Sequence, residues 1–148
     1  MANNPLVQQG TLNRLRCSVV VPNESTLNIT APYMGSSFAS VSFSEPFADL
    51  IGTATGAVTS PEPYVFGTIT VGVLKTQALA AQWVSQAQTE SALGPVTIYP
   101  DSAAYPATTL DNCVLQSLEP AAFDGKDPVV RITLRGVYYL NSDLWSVL

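Results

Sequence analysis

The stretch GTITVGVLKTQALAAQWVSQAQTES (residues 67–91) changes its hydrophobic period once, and this change decides the fold class. Ile69, Val71 and Val73 alternate with threonine and glycine, which is the pattern of a strand with one buried face. After the LKT tripeptide the apolar side chains return at helical spacing. The stretch therefore predicts a strand that is followed by one helix over about residues 77–90.

One side of the predicted helix is apolar, and the other side is polar without charge. At about 100° per residue, Leu79, Trp83 and Val84 fall on one arc and are predicted to be the core anchors of the helix. Gln82 and Gln86 lie across from that arc. The helix is therefore predicted to cover one face of the protein and to turn an uncharged face outward.

Local capping signals set the expected ends of this helix. The Thr76 side chain can accept a hydrogen bond from a free N–H group of the first turn, so Thr76 is the predicted N-cap. Gly94 and Pro95 are predicted to end the helix, because glycine adopts left-handed conformations at helix C-termini and proline cannot continue a helix.

The rest of the chain has the alternation and the turn residues of β structure. Together with the strand before the helix, these segments predict about seven strands. They cover residues 15–23, 25–30, 38–46, 65–74, 95–101, 110–120 and 129–140, with a bulge expected near Cys113 or Val114. We predict one domain over residues 1–148, mainly β, built as a β-sandwich or barrel with one packed α-helix.

Residues 45–64 form the longest segment between the predicted strands. The segment has two glycines and three prolines, together with the apolar residues Phe47, Leu50 and Ile51. It is either a long loop or a loose hairpin in which AVTS pairs back on DLIG. Its apolar residues either meet a partner or fold back onto the core of their own chain.

Low charge is the most informative bulk property of this 148-residue chain. Charged residues make up 11% of the sequence, whereas an ordinary soluble domain carries about 25%. Such depletion is typical of surface that is buried against another chain. The net charge is −5, and the six lysine and arginine residues are scattered. Because nucleic-acid binding needs clustered cations, we expect no specific binding of DNA or RNA.

The residue types argue against catalysis. The chain has no histidine, which removes histidine bases, histidine triads and the commonest metal ligand. Cys17 and Cys113 are far apart in sequence and are expected to be free thiols. We predict no enzyme, no metal site and no cofactor. We also expect no signal peptide and no membrane partner, because no apolar run approaches the roughly 18 residues of a membrane helix.

The order of these segments resembles a known family. The strand and helix of residues 67–91, the strand PVTIYPD of residues 95–101 and the closing strand pair of residues 110–140 follow one another in a characteristic way. In this order they resemble the tail tube proteins of bacteriophages with contractile tails. Those proteins share their fold with the tube protein of type VI secretion systems. The resemblance covers about residues 67–140.

The resemblance implies a structural role in a virion. Six copies would form a ring, and rings would stack into a tube through which DNA leaves without specific binding. An acidic lumen would suit that passage, because like charge keeps the DNA from adhering. The implied partners are further copies of this chain, the tail sheath, the baseplate, the tail terminator and a tape measure protein in the lumen. The implied location is the phage tail, assembled in the cytoplasm of a bacterial host.

The resemblance also implies roles for particular residues. The long segment would reach a neighbouring subunit or the next ring. Its expected interface residues are Glu45, Phe47, Asp49, Leu50, Ile51, Val58 and Tyr64. Gln82 and Gln86 on the outward face of the helix would meet the sheath.

Two other functions fit the same pattern of strands. The first is a monomeric β-sandwich module that binds a ligand such as a carbohydrate, with Tyr33, Tyr99 and Tyr105 as an aromatic platform on its loops. The second is a component of the same fold that initiates or caps the tube instead of polymerising. Assembly state separates these functions, because a binding module stays monomeric.

Overall fold

A computed structural model describes residues 6–11, 17–35, 39–100, 104–120 and 122–145 of the chain. Its strands are β1 (Ser18–Val20), β2 (Ser40–Phe43), β3 (Ala48–Gly52), β4 (Ala57–Pro61), β5 (Tyr64–Leu74), β6 (Ala92–Tyr99), β7 (Thr108–Glu119) and β8 (Val129–Tyr139). Its helices are α1 (Ala78–Thr89) and the short α2 (Ser142–Trp145), and 3-10 turns cover Ser25–Leu27 and Ala31–Tyr33. The predicted mainly β class with one substantial helix is confirmed.

Six of the strands form one curled antiparallel sheet in the order β1-β6-β7-β8-β5-β2. The longest pairing in this sheet joins β5 and β8, from Tyr64 opposite Tyr139 to Leu74 opposite Val129. Strands β3 and β4 form a separate two-stranded sheet. The hairpin made by β3 and β4 therefore stands apart from the main sheet.

One face of the main sheet is buried beneath α1. The buried positions on the central strands are Val65, Ile69, Val71 and Val73 of β5 and Val130, Ile132 and Leu134 of β8. Helix α1 covers this face with Leu79, Ala80 and Trp83, and the Trp83 side chain is fully buried. The period-two pattern of the strands and the helical period of α1 thus meet in one core.

The prediction that Val84 is a core anchor is wrong. Val84 is 39% exposed, whereas Trp83 beside it is 0% exposed. Successive helical residues are about 100° apart around the axis. Because Trp83 points directly at the core, Val84 is turned to the margin of the packed face.

The predicted helix of about residues 77–90 agrees with α1, but both predicted capping signals are wrong. Gln77 is the N-cap and makes no side-chain capping bond, while the helix ends at Thr89. Gly94 and Pro95 lie inside β6, where the register with β7 shifts on either side of Gly94. Gly94 has a φ of +76°, and a Cβ there would stand 2.5 Å from Nδ2 of Asn23. The glycine therefore serves a β-bulge and not a helix end.

The segment predicted as a strand over residues 25–30 begins instead with the 3-10 turn Ser25–Leu27. Leu27 and Ile29 are still buried, as alternation would place them. Ile29 exchanges two backbone hydrogen bonds of 2.8 Å with Val19, and Oδ1 of Asn28 accepts a bond of 2.8 Å from Val21 N. The Asn28 side chain supplies a bond that a strand ladder would otherwise provide.

The bulge expected near Cys113 is confirmed. The register of β7 against β8 shifts between Asp111 and Val114, and Asn112 has a φ of 51°. Gly136 of β8 lies directly against the bulge. A Cβ at this position would stand 2.4 Å from Sγ of Cys113. The close approach of β7 and β8 at this point depends on the missing side chain.

Candidate functional site

The segment of residues 45–64 contains a regular β-hairpin, so the hairpin alternative is the observed one. Strands β3 and β4 pair through Asp49 opposite Ser60 and Ile51 opposite Val58. The turn closes with a backbone bond of 2.8 Å from Thr53 N to the Gly56 carbonyl oxygen. Because opposite residues share a face, one face of the hairpin carries Asp49, Ile51, Val58 and Ser60; we call it the Ile51–Val58 face.

The aliphatic residues on the two strands of this hairpin do not fold back onto the core. Ile51 is 51% exposed, Val58 is 54% exposed, and Leu50 on the opposite face is 68% exposed. A pair of adjacent aliphatic side chains on a projecting ribbon exposes apolar surface that is otherwise costly in water. The hairpin is therefore the leading candidate for a contact with another chain.

Aromatic side chains pack the base of the hairpin against the main sheet. Phe47 packs edge-on against Phe43 of β2 with ring centroids 5.3 Å apart, and it lies 6.1 Å from the Tyr138 ring of β8. Phe43 and Tyr138 are themselves 4.9 Å apart. Phe47, an expected interface residue, is thus a half-exposed anchor between hairpin and sheet.

Asn141 fastens the same base and was not singled out by the sequence. Its Nδ2 donates hydrogen bonds to the carbonyl oxygens of Phe47, at 3.2 Å, and Glu62, at 2.7 Å. The Glu62 N–H in turn donates to the Phe47 carbonyl at 3.0 Å. Asn141 has a φ of 54°, a conformation that asparagine tolerates better than most residues. The Asn141 side chain thus links the base of the hairpin to the segment that follows β8.

We expect Asn141→Ala to loosen the hairpin base and to lower the free energy of unfolding by about 1–2 kcal/mol. The variant loses both bonds and also strains alanine at a positive φ. Amide hydrogen exchange at Glu62 should accelerate more than exchange within β8. Asn141→Gly is the matched control, because it removes the same amide without the backbone strain. Unchanged Glu62 exchange in both variants would contradict this role.

The remaining expected interface residues lie at different places. Glu45 is exposed in the bend before the hairpin. Tyr64 begins β5, is 44% exposed and packs edge-on against Phe66 at 5.7 Å. Both aromatic rings belong to the sheet face away from α1. The structure thus brings Asp49, Ile51 and Val58 together, and places Tyr64 with a second surface.

That second surface is the sheet face opposite α1, which we call the open face. It is rich in hydroxyl groups on neighbouring strands, namely Ser40, Ser42, Thr68, Thr70, Thr97, Thr109, Ser117 and Thr133. Thr97 and Thr109 hydrogen-bond through their hydroxyl oxygens at 2.9 Å. The open face is therefore polar, although few of its side chains are charged.

Charges on the open face are balanced among the described strand residues. Arg131 pairs with Asp127 at 3.2 Å and lies opposite Glu119, while Arg135 stands 4.7 Å above the Phe66 ring. Asp111 is the other acidic residue on this face. Two cations and two anions give the strands no acidic excess there. With Asp127 bound to Arg131, this face has three anions and two cations, so it accounts for little of the net charge of −5.

The sheet ends in an edge strand at β2. Strand β2 pairs with β5 over only four residues, and in the described part of the chain no strand lies beyond it. At the other end, the outer side of β1 is capped by the two bonds between Val19 and Ile29. An unpaired strand edge can accept a strand from another molecule. In the part of the chain that the structure describes, the main sheet therefore has an open edge at β2.

The outward side of α1 is uncharged, as its sequence indicates. Gln82 is exposed, and Gln86 is half-buried with its Nε2 donating to the Glu90 carbonyl at 2.9 Å. Gln82 lines a shallow pocket of about 310 Å³ with Thr26, Asn28 and Tyr33. The role of the two glutamines toward a sheath stays a prediction.

A groove beside α1 was not anticipated from the sequence. It has a volume of about 460 Å³ and is lined by Lys75, Ala80, Val84, Leu118, Pro120, Phe123 and Val130; we call it the α1 groove. Lys75 fixes the loop that forms one wall of the groove. Its Nζ donates hydrogen bonds to the carbonyl oxygens of Ala122 and Asp127, and it lies 5.2 Å from the centroid of the Phe123 ring. Phe123 is 86% exposed. The unexpected exposure of Val84 is explained by its position in this groove.

The described residues show little that could do chemistry. Burial raises the pKa of the Cys113 thiol to about 11, so this thiol is protonated at neutral pH and is a poor nucleophile. Within the described ranges, no group of three acidic or cysteine side chains is placed to hold a metal ion. None of the described helices is long and apolar enough to cross a membrane.

The three tyrosines considered as a binding platform make no ring stack with one another in the described part of the chain. Ring contacts there join Phe43, Phe47, Tyr138, Tyr64 and Phe66 instead. Tyr33, Tyr99 and Tyr105 are each partly exposed, and Tyr33 lines the pocket that also contains Gln82. No shared aromatic surface supports the binding-module alternative.

No protein-family model matches the chain, and no curated protein sequence is significantly similar to it. Solved structures nevertheless match it. The tube-terminating cap of the anti-feeding prophage has a TM-score of 0.49 at 17% identity, and the match covers 93% of this chain and 97% of that chain. A chain of the PVC sheath–tube complex in the extended state has a TM-score of 0.47 at 20% identity, covering 89% and 94%.

A third match is to the sheath/tube terminator of the same PVC particle, an extracellular contractile injection system, in its extended state. Its TM-score is 0.50 at 19% identity, and the match covers 90% of this chain and 99% of that chain. Nearly the whole of both chains is included, so the similarity concerns the complete arrangement of strands and helix. The chain therefore has a fold that it shares with a structural component of a contractile injection system.

Proposed function

We propose that this chain is a structural subunit of a contractile tail, where copies of it form hexameric rings that stack into the tail tube. One observation carries the proposal: the same chain has an open sheet edge at β2 and a projecting hairpin whose Ile51–Val58 face is exposed. Both features expose groups that are normally covered by a second chain. The shared fold with a sheath/tube terminator supports the same setting.

In the proposed ring, the open faces of the sheets line the conduit. DNA would then pass along hydroxyl groups and a small number of charges, and not along the acidic wall that the resemblance implied. Arg131 is already paired with Asp127, and Arg135 lies over Phe66. Each arginine already has a partner within its own chain, and the two do not form a cluster of cations. They therefore offer DNA no specific binding site.

The proposed partners follow from the same placement. The uncharged outward side of α1 with Gln82 would face the tail sheath, while the two ends of the tube would meet the baseplate and the tail terminator. A tape measure protein would occupy the lumen before DNA does. The proposed location is the phage tail within the virion, after assembly in the host cytoplasm.

A tube-terminating role is the second candidate. It is favoured by one observation, because the match with a TM-score of 0.50 is to a sheath/tube terminator. A terminator would form the same ring but would not stack further on itself. The two candidates therefore differ in the length of the assembly and not in the fold of the subunit.

The test is the assembly state of the untagged chain as its concentration rises. We expect rings and hollow tubes in negative-stain electron micrographs, with a matching rise of mass in light scattering. Isolated rings that never stack would assign the terminating role instead. A monomer of 15.7 kDa at every concentration, even when tail-initiation components are added, would overturn both roles.

A further inference from the structure

We propose that the hairpin of one copy inserts into the α1 groove of a second copy, with Ile51 and Val58 as the inserted side chains. The inference rests on the self-assembly proposed above and names the surface that receives the hairpin. It accounts for two exposed apolar features with a single contact. Each feature alone leaves aliphatic or aromatic surface in water.

The α1 groove has the size and lining of a receiving site. Its volume of about 460 Å³ falls within the range of clefts that enclose apolar groups, roughly 300–1,000 Å³. Lys75 is the one charged residue among the described residues that line it. Val84 and Phe123 on its walls are exposed in the single chain and would be covered by an inserted ribbon.

The Ile51–Val58 face complements this lining in shape and charge. Ile51 and Val58 lie opposite each other on paired strands, so the two side chains form one compact apolar projection. Asp49 is the charged residue on that face, and its sign is opposite to that of Lys75 in the groove. An inserted hairpin would thus pair apolar with apolar surface and an anion with a cation.

The contact has to join two different copies. The hairpin adjoins the first residue of β5, Tyr64, whereas Lys75 of the groove follows its last residue, Leu74. These eleven residues span roughly 35 Å at about 3.4 Å per residue. The two surfaces therefore lie at opposite ends of one strand. A head-to-tail contact of this kind closes into rings or continues as a filament.

Leu6 and Val7 form another exposed apolar segment, which we call the N-terminal arm. These residues are 79% and 78% exposed. No acidic residue lies among the first ten residues of the chain, so this arm cannot match the charge of Lys75. Charge complementarity therefore favours the hairpin over this arm as the occupant of the groove.

Disulfide trapping between copies tests the contact. In a Cys17→Ser background, a Val58→Cys chain and a Val84→Cys chain are mixed at an assembling concentration and oxidised mildly. Mixed dimers are then quantified by intact mass. We expect this pair to couple at least about tenfold faster than the controls, because a disulfide needs close and oriented Cβ atoms. The controls pair Val58→Cys with Gln82→Cys, and Leu50→Cys with Val84→Cys; the buried Cys113 remains in every chain.

Each result has a separate meaning. Preferential coupling of the hairpin and groove cysteines supports the contact. Rings or tubes in which Val58→Cys couples only with itself, or in which Val7→Cys couples with Val84→Cys, would overturn this inference while leaving the assembly role standing. If the chain stays monomeric at every concentration, the proposed function fails and the contact fails with it.

Discussion

Replacing Trp83 with alanine is expected to lower the free energy of unfolding by about 3–5 kcal/mol. Among the described residues, Trp83 is the largest fully buried side chain, and it joins α1 to the core beneath the sheet. A protein of this kind is stable by only about 5–15 kcal/mol in total. Trp83→Ala should therefore lose a large share of the total stability. Urea titration, with unfolding monitored by circular dichroism, measures the loss.

Two neighbouring substitutions make this result specific. Trp83→Phe should cost less than Trp83→Ala, because it keeps most of the ring and removes an Nε1 that is buried without a hydrogen-bond partner among the described residues. Val84→Ala is the control on the same helix turn, and its effect should stay within about 1 kcal/mol because Val84 is partly exposed. Equal losses for Trp83→Ala and Val84→Ala would refute the assignment of Trp83 as the anchor.

Periodicity was a good guide wherever burial alone determines the side-chain pattern. The alternation of β5 and β8 predicted both strands, because each has one face in the core and pairs with the other along its whole length. The same reasoning placed Trp83 toward the core. The mixed pattern of residues 110–120 correctly indicated a bulge, because a bulge shifts the alternation by one residue.

Features that depend on contacts between distant residues could not be predicted. Asn141 and Phe47 are 94 residues apart in sequence, so nothing near either residue signals their hydrogen bond. The Asn28 side chain accepts a bond from Val21 N, and the alternating segment before it forms a 3-10 turn instead of a strand. The α1 groove is formed by a helix, two strands and a loop, and it has no local pattern at all.

The composition of the chain did indicate the kind of surface that the structure shows. Charged side chains are scarce, and the exposed hairpin and open face are covered instead by aliphatic and hydroxyl groups. Such surface suits burial against further copies. The composition does not tell which part of this surface contacts which partner. Substitutions on the hairpin can test this for the contact between copies.

The Ile51→Asp/Val58→Asp double variant is expected to abolish self-assembly and to leave the fold intact. Both side chains are about half exposed in the single chain, so changing them should alter stability by no more than about 1 kcal/mol. In an assembled contact each would be buried, and each contributes roughly 1.5–3 kcal/mol. Losing both should weaken the contact between copies by roughly 100-fold or more. Light scattering and thermal unfolding measure the two effects separately.

Leu50→Asp is the matched control, because Leu50 lies on the other face of the same strand and is even more exposed. It adds one negative charge to the same hairpin where the double variant adds two, so a general effect of acidity or of hairpin distortion would already appear in part in Leu50→Asp. We expect Leu50→Asp to assemble nearly as the natural chain does. If Leu50→Asp disrupts assembly as strongly as the double variant, both faces of the hairpin contact another copy. The proposal that only the Ile51–Val58 face is inserted is then wrong. If neither variant disturbs assembly, the hairpin is not an interface, and the open edge at β2 must carry the contact between copies.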